Sequence, residues 1–234
     1  GRRVINQESV KTKIKVGVIG CGKISKRYME QMNKFPVLEV VACSDIVMER
    51  AYGIAEEFDI KACPVDELLA DPEIQIVVNL TIPKAHAEVA KQALESFKNV
   101  YNEKPLAPTL KEAGQLLKIS QDKGLRIGCA PDTFLTGGMQ TWRNLIDDGA
   151  IGDPVTAIAF VGTPGHERWH PDPDFYYQPG GGPMWDLGVY ELTHLVNLIG
   201  PVRRVTSTTK TTFSERTISS QPRIGEKIKV NTPT

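Results

Sequence analysis

Ile14-Lys15-Val16-Gly17-Val18-Ile19-Gly20-Cys21-Gly22-Lys23-Ile24-Ser25 is the stretch that decides the fold. A run rich in β-branched residues enters a glycine turn, and an amphipathic stretch from about Ile24 to Asn33 leaves it. Strand, glycine turn and helix in that order make the first half of a βαβ unit. The alternation repeats downstream. Leu38 to Cys43 precedes a helical pattern over Val47 to Phe58, and Ile76 to Leu80 precedes one over His86 to Ser96. Asn99 to Tyr101 precedes Leu110 to Lys123, and Arg126 to Cys129 closes the series. Strands that alternate with longer helices predict a doubly wound parallel sheet. Ile76 to Leu80 is apolar toward both faces, as expected of a strand covered by helices on both sides.

After Cys129 the texture changes. A helix is expected over about Met139 to Asp148, stopped by Gly149, and strands over Pro154 to Val161 and from Val202 to Thr212. Between them, residues 162 to 188 hold eleven of the chain's glycines and prolines together with a cluster of aromatics. A loop that long and that aromatic points to function rather than to a linker. A further helix runs to Ile199, and Lys227 to Val230 is one more strand candidate.

The 234 residues allow two domains. With 28 basic against 28 acidic residues, 41% hydrophobic and 24% charged, the composition is that of a globular protein, with no basic surplus for nucleic acid or an anionic membrane. Cys21, Cys43, Cys63 and Cys129 form no C-x-x-C pair and no array with the four histidines, so neither a metal site nor a disulfide framework is expected. No apolar run reaches membrane-spanning length, and the opening seven residues lack a signal-peptide core. The expectation is a cytoplasmic protein with reduced thiols. Gly1 in place of Met reads as a processed or engineered start, and about the first eleven residues are set aside from the fold.

Three motifs carry chemistry. In the first, Gly20 permits the tight turn, Gly22 lets a pyrophosphate approach the backbone, and the helix N-terminus offers N–H groups and partial positive charge. Ser25 stands where a third Gly or Ala is usual. Asp45, some 25 residues on at the end of the second strand, either accepts from both ribose hydroxyls of a dinucleotide or caps the next helix. In the first role its charge repels a 2′-phosphate, which favours NAD over NADP. The second motif, Glu103-Lys104-Pro105, follows a strand end, where Pro105 biases Lys104 toward an extended conformation. Spacing alone favours a plain surface lysine. In the third, Gly180-Gly181-Gly182-Pro183 opens a helix on which Asp186, Tyr190, Thr193 and Asn197 share a face, with His194 one step around. That stripe is either a site or a solvated face.

The three motifs, in this order and spacing, resemble the glucose-fructose oxidoreductase, inositol dehydrogenase and rhizopine-catabolism (Gfo/Idh/MocA) family of oxidoreductases. Thr81-Ile82-Pro83 to His86 and Gly149-Ala150-Ile151-Gly152 support the match, which spans about residues 13 to 213. The resemblance implies an α/β chain: a Rossmann NAD-binding domain over 12–129, then an α+β substrate and oligomerisation domain over 130–234 with an open, mainly antiparallel sheet. The active site is expected between them. It implies cofactor contacts from Gly20, Gly22, Lys23 and Ile24, from Asp45, from Thr81, Pro83 and His86, and from Glu103 and Lys104. Catalysis falls on Lys104, Asp186 and Tyr190. Many members have Asp where His194 stands, so its catalytic role is the least secure.

Most members similar to inositol dehydrogenase carry His at position 190; Tyr190 is like the glucose-fructose oxidoreductase branch. A phenol is a weak base at neutral pH, and an ammonium nearby eases its ionisation, so Lys104 and Tyr190 are expected to work as a pair. His166, Trp169 and His170 are candidate sugar contacts, although Trp169 serves equally as a loop anchor and His166 as a turn pin. The expected reaction moves a hydride between a secondary alcohol of a sugar, sugar acid or cyclitol and NAD. An oxidation-elimination glycosidase or lyase and a non-catalytic nucleotide sensor are the alternatives. Family members have a longer second domain, so that sheet is expected to be incomplete here, the chain to be poorly active, and the parent protein to be a homodimer or homotetramer.

Overall fold

The computed structural model describes residues 12–234. The opening segment, and the reading of a processed start with it, lies outside those residues. The chain divides into two units, Gly1–Ala130 and Pro131–Thr234.

The first unit contains β1 (Ile14–Ile19), β2 (Leu38–Ser44), β3 (Lys61–Ala62), β4 (Ile76–Asn79), β5 (Asn99–Asn102) and β6 (Ile127–Cys129). They form one sheet in the order β3-β2-β1-β4-β5-β6, parallel at every pairing. Its helices are α1 (Ser25–Met32), α2 (Met48–Phe58), α3 (Val65–Ala70), α4 (His86–Glu95) and α5 (Leu110–Asp122). The sheet is dry on both faces because neighbouring residues of one strand serve different cores. Val77 joins the cluster built on Leu68, Leu94 and Leu116, from α3, α4 and α5. Val78, one residue on, joins Met29, Met32 and Ala51 from α1 and α2. Thr109 caps α5, its hydroxyl accepting from the Glu112 N–H at 3.2 Å.

β1 and β4 are neighbours although the chain runs from β1 outward through β2 and β3 before returning. Loops after β1 and β4 therefore leave the same sheet edge in opposite directions, which opens the crevice where such sheets take ligands. Gly20 makes that edge possible. Its φ is +102°, and a Cβ there would lie 2.6 Å from the Leu80 carbonyl carbon.

The second unit holds α6 (Gly137–Asp147), α7 (Val189–Ile199) and an antiparallel pair, β7 (Glu215–Thr217) with β8 (Lys227–Lys229). The Arg143 guanidinium, from α6, donates to the carbonyls of Asn197 (2.9 Å) and Leu198 (3.0 Å), which the end of α7 leaves unpaired. Tyr177, Ile218, Ile228 and Val230 make a small separate core.

The structure departs from the sequence reading in three places. Residues 154–161 and 202–213 have strand composition but no strand pairing, and Val155, Ile158 and Phe160 are about nine-tenths exposed. Strand propensity reports fit to a paired, half-buried surface, and without a ladder partner it fixes nothing. β3, α3 and β7 went unread because two to six residues are too few for a period to register. The helix expected from Pro183 starts as a π-helical turn, Met184–Gly188, before α7 begins.

Leu94, fully buried on α4, tests the packing of the first unit. Leu94→Ala is expected to cost about 2–5 kcal/mol, read as a lower urea midpoint at unchanged slope. A loss under about 1 kcal/mol would place Leu94 outside the cooperative core.

Candidate active site

In the first unit four loops reach the carboxyl edge of the sheet, after β1, β2, β4 and β5. The first is pinned to the second by Asp45, whose two carboxylate oxygens accept from the N–H groups of Cys21 (2.7 Å) and Val47 (2.9 Å). Asp45 thus turns the chain ahead of α2 and holds the glycine loop down. Each of its oxygens keeps a lone pair for a further donor such as a ribose hydroxyl. Around Gly22 there is open space where a side chain would stand, and the Ser25 hydroxyl donates to the Gly22 carbonyl at 2.7 Å. This is a backbone cradle at a helix start, of the kind that fits a pyrophosphate. Ile24 is 40% exposed, and Lys23 is exposed beside it.

The third and fourth loops are joined by His86. Its ring is buried, with Nε2 2.8 Å from the Thr81 carbonyl and Nδ1 2.6 Å from the Pro105 carbonyl. Whatever His86 does for a cofactor is done through the loops it joins. Asn79 continues the strap, donating to the His86 carbonyl and accepting from the Thr81 hydroxyl at 2.7 Å. Pro83 opens the short 3-10 turn between them. Glu103 is held from α1, where the Tyr28 hydroxyl donates to it at 2.9 Å, and its other oxygen accepts the Lys104 N–H at 2.7 Å. The Lys104-Pro105 peptide is cis. Among the described residues two buried side-chain oxygens have no hydrogen-bond partner, Ser44 Oγ and Asn102 Oδ1, and both sit at strand ends on this edge. Orphaned polar atoms there fit a surface that receives a polar ligand.

Two of the first unit's thiols touch beneath the glycine loop. A hydrogen bond donated to Cys43, then burial, pushes the Cys21 thiol far up, and the same bond lowers Cys43. Burial, with the Glu103 charge second, pushes Cys129 up to about 12. All four cysteines are free.

In the second unit the Gly/Pro-rich loop folds back on the start of its long helix. His166 Nε2 lies 2.7 Å from Asp186 Oδ2, with both side chains 15% exposed. The imidazole stacks on Tyr176 at 3.9 Å between centroids, and Trp169, half exposed, leans on it at 5.6 Å. Gly181 allows the return: a Cβ there would lie 2.4 Å from the Phe175 carbonyl oxygen. His170 is engaged in the loop itself, its Nδ1 accepting from Asp172 N–H at 3.0 Å and its carbonyl accepting from the Ser220 hydroxyl. Tyr190 lies on the first turn of α7. His194 braces that helix instead of joining the pair, with Nε2 2.9 Å from the Thr133 hydroxyl and Nδ1 3.8 Å from Glu191.

A buried carboxylate that sequence reasoning passed over anchors this loop. Glu167 is 4% exposed and accepts from the Tyr177 hydroxyl and from Arg216 of β7, at 3.0 Å to Nε and 2.7 Å to Nη2. Its carbonyl accepts from the N–H groups of Ser219 and Ser220. The Tyr177 hydroxyl also accepts from the His166 N–H at 3.2 Å, so the clamp holds the residue that faces Asp186. Burial pushes the Glu167 carboxyl up, but the hydrogen bonds from Tyr177 and Arg216 outweigh it and hold it below the ordinary carboxylate value. Tyr177 goes up to about 12, through burial and then its bond to Glu167. An acid amid aromatics in a glycine-rich loop was the one available signal; its partner Arg216 is 49 residues away.

A group with a lowered folded value stabilises fully above its unfolded titration and loses that contribution as pH falls through the folded value. The second unit is therefore expected to lose stability below about pH 4. Glu167→Gln should cost about 3–5 kcal/mol at neutral pH and flatten that acid limb in a melting-temperature series. A variant with the wild-type acid limb would take the clamp out of the account.

Comparison with known proteins gives the following. The family model described as the Gfo/Idh/MocA oxidoreductase family, NAD-binding Rossmann fold, matches residues 14–130, and the model of the family's C-terminal domain matches 139–231. Inositol 2-dehydrogenase of Salmonella typhimurium is 32% identical over 149 residues, 61% of this chain and 44% of that protein. The dTDP-3,4-didehydro-2,6-dideoxy-α-D-glucose 3-reductase of Saccharopolyspora spinosa is 31% identical over 181 residues, 76% of this chain and 53% of that protein. Among solved structures, KijD10, a 3-ketoreductase from Actinomadura kijaniata in complex with TDP-benzene and NADP, superposes with a TM-score of 0.66 at 26% identity, covering 81% of this chain and 57% of that one. The chain spans about half the length of the curated relatives it matches.

Proposed function

Since the chain belongs to the Gfo/Idh/MocA family of oxidoreductases, we propose that it serves a dehydrogenase that exchanges a ring carbinol and a ring carbonyl on a sugar, sugar acid or cyclitol. One observation carries this reading. Gly20, Asp45, the His86 strap and the Glu103-Lys104-Pro105 turn all stand at one sheet edge, where an open backbone cradle leads toward a lysine. Relatives named for dehydrogenating inositol and for reducing a keto-sugar at carbon 3 handle substrates of the same chemical class. The 130–234 segment contributes substrate contacts in this reading, and 12–129 the nucleotide site.

The dinucleotide, when bound, supplies the hydride acceptor. The chain's own residues do the rest. The Gly20 to Ser25 turn and the start of α1 hold the pyrophosphate, and Asp45 takes the ribose hydroxyls. A 2′-phosphate at Asp45 meets a carboxylate already fixed by two N–H groups, so NAD is preferred to NADP. Thr81 and Pro83 would contribute to the cofactor site through the loop after β4. Lys104 polarises the reacting oxygen, and Tyr190 takes the hydroxyl proton. Asp186 and His166 act beside it, with Trp169 stacking on the ring and His170 fixing the loop.

A screen of inositols, aldoses and sugar acids that follows nicotinamide absorbance tests the assignment. Lys104→Ala and Tyr190→Phe are each expected to lower kcat by about 10² to 10⁴, and turnover unchanged in both would refute the roles given to them. Fluorescence titration should show NADH bound more tightly than NADPH. The reverse order would remove Asp45 from cofactor selection.

A further inference from the structure

His166 and Asp186 form a largely buried pair in the second unit. They lie 2.7 Å apart, with both side chains about 85% buried. Glu167 with Tyr177 and Arg216 already ties the loop to β7, and Gly181 already allows its return. Ordering and desolvating an imidazole and a carboxylate carries a cost that packing on Tyr176 alone does not require. The pair also leaves one atom unused: Nε2 faces Asp186, and Nδ1 has no hydrogen bond among the described residues. Such an imidazole takes a proton on Nδ1 with a carboxylate in place to balance the charge.

The reaction proposed above creates a need for that capacity. Oxidising a secondary alcohol breaks the C–H bond, whose hydride goes to the dinucleotide, and the O–H bond, whose proton has to leave the site. Tyr190 accepts that proton once and has to pass it on before the next turnover. Asp186 stands four residues before Tyr190 on the same helical segment, and His166 meets Asp186 through Nε2.

We propose, resting on the dehydrogenase reading, that His166 is the proton exit of this site. The Tyr190 O–H bond breaks as a His166 Nδ1–H bond forms, Asp186 balances the imidazolium, and the Nδ1–H bond then breaks to a base in solvent. The phenolate of Tyr190 is restored for the next substrate and the imidazole for the next proton. In reduction the same path runs inward. Glu167, through Tyr177, is a positioning residue for this step because it fixes the backbone of His166.

The test is His166→Gln, which keeps a hydrogen-bonding side chain toward Asp186 but does not titrate, assayed in dilute buffer and again with rising imidazole. The variant is expected to turn over at least about tenfold more slowly in dilute buffer. Imidazole should restore much of the rate, with no imidazole effect on the wild type. Wild-type turnover beside an equally fast variant overturns the proton exit alone, as does a loss that imidazole fails to restore. A wild type without nicotinamide-linked turnover on any polyol overturns the dehydrogenase reading and the exit together. A readout independent of turnover is the long-range ¹H–¹⁵N correlation pattern of His166 in the neutral ring. The proposal requires the proton on Nε2 and a bare Nδ1, and the opposite tautomer overturns it.

Discussion

Parallel pairing of β1 with β4 is the constraint on which the first unit's candidate site depends. Antiparallel neighbours alternate their ends, whereas parallel neighbours bring every carboxyl end to one side. Val16 to Ile19 stand in register with Ile76 to Asn79, so Gly20 and Leu80 leave the sheet side by side, with the Leu80 N–H bonded to the Ile19 carbonyl at 2.8 Å. A Cβ on Gly20 would strike that neighbouring backbone, so the register and the glycine require each other. Apolar burial on both faces fixes the pairing, because a slip of one residue would exchange Val77 and Val78 between their cores.

Polar straps then convert that edge into fixed geometry. Asp45 and His86 each connect two segments that arrive from different strands, through backbone N–H or carbonyl groups that would otherwise be left unmade at a loop, and Glu103 ties its turn to the Tyr28 hydroxyl of α1. The second unit uses the same device with fewer strands. Glu167 connects the aromatic loop to β7, and His166 meets Asp186 from inside it. In both units a carboxylate or imidazole that reads as a ligand residue is also holding a loop in place.

Much of the first unit was legible in the sequence. β1 runs over Ile14–Ile19 as expected, and α2, α4 and α5 match their periodic stretches to within a residue or two, because each is long enough to show a period and is bounded by glycine, proline or a cap. The positions of the glycine turn, Asp45 and Glu103-Lys104-Pro105 were legible because each stands where a strand ends, which spacing reveals. The extended segments of the second unit were not, because a strand is a relation between two segments and composition describes only one. Val202 to Phe213 has the β-branched content of a strand and no paired neighbour.

The sequence by itself determined the order of elements, the doubly wound sheet, the family, and which residue types stand at the strand ends. These follow from local periodicity and from backbone rules that glycine and proline obey wherever they occur. Only the tertiary structure decided the partners. It paired Asp186 with His166, gave His194 to Thr133, buried Glu167 against Arg216, and put both ring nitrogens of His86 on carbonyl oxygens. Each of these contacts joins residues that no helical or strand period relates, and their energy comes from removing charge and dipoles from water together, which happens only once the chain has closed around them.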